Sequence, residues 1–155
     1  MDLVAAAALA RRLLEQYRLA DWRFAFDHSR RRFGVCHWHR KTISLSRHLT
    51  KLNEEPQVTD TILHEIAHGL AGRRAGHGPV WKSMAMAIGA RPRRCFADHE
   101  VVVPALRYIS KCGVCGLSRQ VARRSPGKRS CGRCSRVFDP RFILRLEPNP
   151  AYSSR

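Results

Sequence analysis

The fold is decided by Thr59-Asp-Thr-Ile-Leu-His64-Glu65-Ile-Ala-His68-Gly-Leu-Ala-Gly72, which predicts a helix carrying two histidines one turn apart. His64 and His68 are four residues apart, a spacing that points both imidazoles toward the same side of a helix. Glu65 is rotated by about 100° from His64, so its carboxylate can reach a water on a metal without ligating the metal. The stretch therefore has the His-Glu-x-x-His arrangement of zinc hydrolases.

The apolar residues of this stretch support a helix with one buried face. They recur every four residues, roughly opposite the histidines: Val58, Ile62, Ile66 and Leu70. Pro56 suits the first turn, and Gly69 and Gly72 can each end the helix. A half-buried helix that carries two histidines and a glutamate by chance would show the same pattern, so the motif alone leaves that alternative open.

A catalytic zinc ion needs a third protein ligand and one open position. The metzincin spacing would place a histidine at position 74, which is Arg74, so that class of protease is excluded. An acidic ligand from a later segment would have to be Glu100 or Asp98. We predict His77, in His77-Gly-Pro-Val-Trp81, where a loop enters a new helix. Its alternative is a histidine that simply faces solvent.

The composition indicates a polyanionic partner. The chain has 155 residues, enough for one modest core and a small appendage, and a net charge of +17 with a pI near 11.1. Such an excess is most simply explained by nucleic acid. Arginine supplies nearly all of the positive charge, and a solvated surface in a host rich in arginine codons would give the same count.

The N-terminal residues resemble a signal peptide only superficially, because the positive charge follows the apolar run and Asp2 is acidic. No stretch approaches the roughly 20 apolar residues of a membrane span. We therefore expect a cytoplasmic monomer without a membrane partner, with association with the nucleoid left open. In such a compartment the six cysteines are expected to be thiolate ligands and not disulfides.

The remaining elements are predicted from periodicity and turn residues. The predicted helices, besides the one with His64, cover 3–19, 47–52 and 80–88. The predicted strands cover 22–26, 35–39 and 42–46, and together they suggest an antiparallel sheet.

Two cysteine pairs predict a second zinc site. Cys112-Gly-Val-Cys115 and Cys131-Gly-Arg-Cys134 are separated by fifteen residues, a spacing typical of zinc ribbons. Four thiolates close a tetrahedral site and leave no open position, so this zinc is expected to be structural. Four unliganded cysteines are the alternative.

The ribbon is also the predicted nucleic-acid surface, because Asp139 is the only acidic residue from 107 to 145. The predicted phosphate-binding residues are Arg119, Arg123, Arg124, Lys128, Arg129 and Arg133. The aromatic residues Tyr108, Phe138 and Phe142 can stack on unpaired bases or form the ribbon's small core. Of the other two cysteines, Cys36 is expected to be a buried small apolar residue and Cys95 has no predicted role.

In this order, the motifs resemble those of the SprT-like metallopeptidases, a family that includes the eukaryotic protease Spartan. The shared features, over 22–146, are the Trp-x-Phe-x-Phe strand, a strand with Gly34, the strand 43–46, the two histidine motifs and the two cysteine pairs. The resemblance implies an α+β fold. It comprises a zincin-like metallopeptidase core at 1–106 with helices packed on a small antiparallel sheet, a four-cysteine zinc ribbon at 107–146 and a C-terminal tail at 147–155.

The resemblance further implies a function and its residues. His64, His68 and His77 match the ligands of a catalytic Zn²⁺, Glu65 matches the catalytic base, and the four ribbon cysteines match the family's zinc-binding module. The expected function is a zinc-dependent endopeptidase that acts on DNA-associated or DNA-crosslinked proteins. The DNA is single- or double-stranded, and an edge of the sheet can hold the substrate as an added strand.

Two other functions remain open. The first is a nucleic-acid-binding zinc protein with a vestigial peptidase site, although an unused site need not keep Glu65. The second is a regulatory metallopeptidase that cleaves one specific repressor, although a single protein target would not need so basic a ribbon.

Overall fold

The computed structural model describes residues 1–97 and 100–152, which form two compact units. The first unit, Met1–Pro104, has mixed α+β structure. Its helices are α1 (Leu3–Gln16), α2 (Arg47–Leu52), α3 (Glu55–Ala71) and α4 (Pro79–Ala87). Its strands are β1 (Arg23–Asp27), β2 (Gly34–His37) and β3 (Thr42–Ser46). No helix among the described residues combines the length and apolar character needed to cross a membrane.

The sheet of the first unit is mixed, so the predicted antiparallel sheet is wrong. The strand order is β1-β3-β2, with β3 parallel to β1 and antiparallel to β2. The reason is burial. Ile43, Leu45 and Ser46 of β3 are fully buried and Ser44 is nearly so, which suits a central strand, whereas every residue of β1 is exposed or half-buried. The last strand in sequence therefore lies between the first two.

Helix α3 packs its apolar face into the core of the first unit. Val58, Ile62 and Ile66 are completely buried, which confirms the predicted face, and Leu70 is half-buried. The helix ends at Gly72, whose φ of +91° favours glycine. Gly69, which was also predicted as a possible end, instead lies inside the helix.

Most other bounds agree with the sequence pattern. Strand β3 and helix α2 have the predicted bounds, while α1 ends at Gln16 and not at 19. The chain leaves α1 at Tyr17, and Arg18 takes a left-handed conformation with φ of +57°. Strand β2 ends at His37 because residues 38–40 form a short 3-10 turn.

The second unit begins at Ala105 and is a small antiparallel sheet. Its strands β4 (Tyr108–Cys112), β5 (Ser118–Val121) and β6 (Leu144–Pro148) have the order β5-β4-β6. The Asn149 side chain donates a hydrogen bond to the carbonyl of Leu106, and the Asn149 backbone amide donates one to the carbonyl of Arg107, so the end of β6 is tied to the start of β4.

Candidate metal centre

Helix α3 and the loop after it bring three histidines together. Nε2 of His77 lies 3.1 Å from Nε2 of His64 and 3.1 Å from Nε2 of His68. Tetrahedral zinc with Zn–N distances of about 2.0–2.1 Å would place its nitrogen ligands roughly 3.3 Å apart. The three residues singled out by the sequence are therefore close enough to hold one metal ion.

The histidines are fixed by aromatic neighbours. Trp81 of α4 is fully buried, and its ring centroid lies 4.7 Å from that of His64, 5.2 Å from that of His68 and 4.6 Å from that of His77. The indole Nε1 of Trp38 donates a hydrogen bond of 2.9 Å to the carbonyl of His68. The ring contacts pack the three imidazoles against Trp81, and the Trp38 bond positions the backbone at His68.

The electrostatics of the site keep the imidazoles neutral. Burial, followed by the charges of neighbouring histidines, lowers the pKa of His64 and of His68 to about 4. Burial and then Arg94 lower the pKa of His77. A neutral imidazole is the form that donates a lone pair to a metal, so the donor set fits metal binding.

Glu65 lies next to this cluster and is only 6% exposed. Burial raises its pKa to about 8, against the opposing effects of Arg32 and of a hydrogen bond from the Cys36 backbone amide. Strand β2 passes unusually close to this carboxylate. A Cβ atom built on Gly34 would lie 2.7 Å from Glu65 Oε1 and 2.9 Å from Thr61 Cγ2. Only glycine fits there without displacing one of them.

The importance of Gly34 was missed at the level of sequence. It was noted only as part of a strand, although a glycine inside a strand often marks the close approach of another group. That signal does not say which group approaches.

The cluster opens onto a cavity of about 1180 Å³. Residues 33–37 of the β2 segment line it, together with the histidine face of α3 and residues 94–97. Glu65 is the only acidic residue among the described residues that line the cavity, while its arginines are Arg31, Arg32, Arg40, Arg73 and Arg94. A peptide segment that entered the cavity would lie next to the histidine cluster in a region of positive potential.

The acidic alternatives for a third ligand do not join the cluster. Glu100 accepts hydrogen bonds from Arg91 Nη1 at 2.6 Å and from the Ala97 backbone amide at 2.8 Å. Arg91 also pairs with Asp60 of α3 at 3.0 Å, so Glu100 helps to attach this loop to the helix. Asp98 lies outside the described residues.

The thiol of Cys36 lines the same cavity and is half-buried, less buried than expected. Burial, and then the charge of Glu65, raise its pKa to about 12, so it stays a thiol and is no nucleophile. Cys95 is exposed on the same cavity.

The second unit holds a separate cluster of four cysteines. The sulfurs of Cys112 and Cys134 are 3.8 Å apart, and those of Cys115 and Cys131 are 3.6 Å apart. A disulfide would need about 2.05 Å, whereas tetrahedral zinc with Zn–S distances of about 2.3 Å places its sulfurs roughly 3.8 Å apart. The cluster could therefore hold a metal ion and is compatible with a zinc ribbon.

The first knuckle favours the thiolate of Cys112, whereas burial and then the neighbouring cysteine side chains raise the pKa of Cys134 to about 12. Hydrogen bonds from the backbone amides of Cys115 and Val114 lower the pKa of Cys112 to about 6. A thiolate is the form that binds a metal.

The ribbon residues predicted to bind phosphate are all on the surface. The exposed set comprises Arg119, Arg123, Arg124, Lys128, Arg129 and Arg133. Phe138 is 59% exposed and so lies outside any core. Tyr108 is half-buried, with the guanidinium of Arg124 5.3 Å from its ring centroid, and Phe142 is also half-buried. Binding of nucleic acid by these groups stays a prediction.

Comparison with known proteins adds an independent finding. A sequence model of the SprT-like family matches residues 6–100. Proteins named Protein SprT from Pseudomonas putida and from Pseudomonas syringae pv. syringae are each 29% identical to this chain over 85 residues. The matched region covers 51% of this chain and 52% of each relative, so the chain spans about half the length of these curated relatives.

Proposed function

This chain belongs to the SprT-like family, and we propose that it is a monomeric zinc-dependent endopeptidase that acts on DNA-associated or DNA-crosslinked proteins. The observation that carries the proposal is the convergence of three imidazole nitrogens beside the buried carboxylate of Glu65. Three histidines alone would make a metal-binding site. Burying a carboxylate next to them costs free energy, and ionisable groups buried at such a cost are concentrated at functional sites.

The proposed catalytic unit is a zincin-like core in which His64, His68 and His77 hold Zn²⁺. When bound there, zinc would make a water molecule acidic enough to attack near neutral pH and would polarise the scissile carbonyl. A divalent cation held by the histidines would lower the pKa of Glu65 and favour its carboxylate form. That carboxylate is the general base that takes the proton from the attacking water and returns it to the leaving amide nitrogen. The Cys36 backbone amide donates a hydrogen bond to that carboxylate, and the absence of a side chain at Gly34 leaves room for it.

Strand β2 is the proposed substrate-binding edge. It is an outer strand of its sheet, with a neighbouring strand on one side only among the described residues, and residues 33–37 line the cavity. An extended segment of a protein substrate could pair with it as an added strand. Main-chain pairing accepts many sequences, which suits a protease that acts on varied DNA-bound proteins.

The second unit is proposed to hold a structural Zn²⁺ and to bind DNA through its exposed arginines and lysine. Its four thiolates would leave no open position on the metal, so no catalysis is assigned to it. DNA bound there would raise the local concentration of proteins attached to the same DNA.

The test is a cleavage assay on a DNA-binding protein, alone and with single- or double-stranded DNA. The zinc-loaded wild type should cleave it, and Glu65→Gln should be slower by about 10²–10⁴-fold because glutamine cannot accept the proton. Zinc content should be equal in both proteins. If the zinc-loaded wild type cleaves neither this protein nor a short unstructured peptide under any of these conditions, the endopeptidase proposal is wrong.

A further inference from the structure

The net charge of +17 is confined to two segments of the sequence. Residues 28–53 contain seven lysines and arginines and no aspartate or glutamate. Residues 107–145 contain eleven lysines and arginines and one aspartate. The remaining residues carry eleven basic and eleven acidic side chains, so they contribute nothing to the excess. Arginine-rich codon usage alone would spread the excess over the whole chain. One of the two segments is the ribbon, and the other belongs to the first unit.

The turn between β1 and β2, residues 28–33, carries Arg30, Arg31 and Arg32 and is called the basic turn here; it is held by hydrogen bonds. Asp27 Oδ2 accepts a bond of 2.8 Å from Ser44 Oγ and another of 2.8 Å from Arg32 Nη2. The carbonyl of Ser29 accepts a bond of 2.5 Å from Ser46 Oγ, which fastens the turn to the junction of β3 and α2. A turn held in this way loses little further entropy when it binds a ligand.

Basic side chains from the turn and from α2 come together at this junction. The ring centroids of His28 and His48 are 6.2 Å apart. Arg47 and Lys51 are four residues apart on α2, so they share one side of the helix. Burial lowers the pKa of His48, and the charges of Arg30, His28, Arg47 and Lys51 lower it further. We call these five residues the α2 basic face. Arg47 and Lys51 are exposed, and neither forms a salt bridge within the described part of the chain.

We propose that the α2 basic face is a second binding surface for the phosphate backbone of nucleic acid, carried by the first unit itself. Arginine forks and lysines on an ordered surface suit successive phosphates. The basic turn also contains Arg31 and Arg32, which line the cavity. A nucleic-acid strand bound to this surface would therefore extend toward the opening of the cavity at the histidine cluster.

An anionic membrane is the less suitable ligand. Binding at a lipid surface generally adds buried apolar side chains to the electrostatic attraction. Within residues 28–53, Leu52 is the one large apolar side chain that is strongly exposed, at 46%. The proposal rests on the proposed function only in taking nucleic acid as the partner, and it requires no peptidase activity.

The test compares two triple variants of the full chain that lose the same charge. Arg30→Gln, Arg47→Gln and Lys51→Gln remove the α2 basic face, while Arg11→Gln, Arg12→Gln and Lys82→Gln remove exposed charges from the balanced part of the chain. Fluorescence anisotropy would measure binding of single-stranded and duplex oligonucleotides over a salt series. For the first variant, the slope of log K against log salt should flatten by about 0.9 per lost phosphate contact on duplex, or about 0.7 on single strands. The control should keep the wild-type slope.

Three outcomes would overturn the proposal. Equal losses of oligonucleotide affinity in both triple variants would mean that only the total charge matters. An unchanged salt slope in the variant of Arg30, Arg47 and Lys51 would mean that the ribbon alone binds nucleic acid. Retained oligonucleotide binding with lost binding to phosphatidylserine vesicles would identify a lipid surface. Metal content and thermal melting establish folding, and the double variant of Arg47 and Lys51 replaces the triple one if the turn is disturbed. If the salt slope flattens although the wild type cleaves no peptide, the proposed nucleic-acid surface is supported and the proposed peptidase activity is wrong.

Discussion

The two candidate metal clusters differ in the number of their ligands and in the structure that surrounds them. The histidine cluster offers three donors beside a cavity, whereas the cysteine cluster offers four donors and closes on itself. The first lies against a core that includes Ile43, Ile62 and Trp81, all completely buried. In the second unit, Cys112 and Cys131 are the only buried apolar residues among those described.

From this difference we infer separate roles for the metal ions that the two clusters could hold. A unit with its own core can keep its fold without a metal, and the metal is then available for chemistry. A unit whose only buried apolar side chains, among the described residues, are two of the metal ligands is expected to depend on the metal for its fold. The proposed difference would be wrong if both units kept their folds without metal, or if both lost them.

The largest expected effect is that of Cys131→Ser. The variant should lose the metal of the second unit and with it the fold of that unit, because structural zinc contributes on the order of 10–16 kcal/mol in small zinc domains. Hydrogen exchange should show unprotected amides in β4–β6 and unchanged protection in α3. A second unit that stays protected without its metal would show that its sheet is stable alone.

His68→Ala is expected to have the opposite pattern. Two histidines cannot retain the metal well, so cleavage should fall below detection, but amide protection of Ile62 and Ile66 should be retained because the apolar core is untouched. The same exchange experiment measures both variants. Loss of protection throughout the first unit would mean that this metal is structural as well.

Gly34→Ala should have a smaller effect, confined to the histidine cluster and Glu65 in the first unit. The added Cβ would lie 2.7 Å from Glu65 Oε1, and relief of such crowding costs about 1–3 kcal/mol. If Glu65 is displaced, kcat should fall roughly tenfold to a hundredfold, with KM and metal content unchanged.

The matched control is Gly127→Ala, where the added Cβ has no neighbour within 4 Å. A lower melting temperature with wild-type kcat in Gly34→Ala would make Gly34 a packing residue and not a positioning residue for Glu65.

The sequence predicted the local structure of the metal site well. The buried face of α3 and its end at Gly72 follow from apolar periodicity and a glycine, and both were found. The mixed sheet was not predicted, because alternation within a strand does not say which strand will be its neighbour. The approach of Gly34 to Glu65 was not predicted for a similar reason, since it joins residues far apart in the chain.

We propose that the chain holds two zinc ions, one in each cluster, with different roles. The most direct test is the zinc-to-protein ratio of the wild type, His68→Ala and Cys131→Ser, each purified without chelator. We expect two zinc ions in the wild type and one in each variant, with His68→Ala keeping the ion bound by thiolates. A single zinc ion in the wild type, or the loss of both ions from His68→Ala, would contradict it.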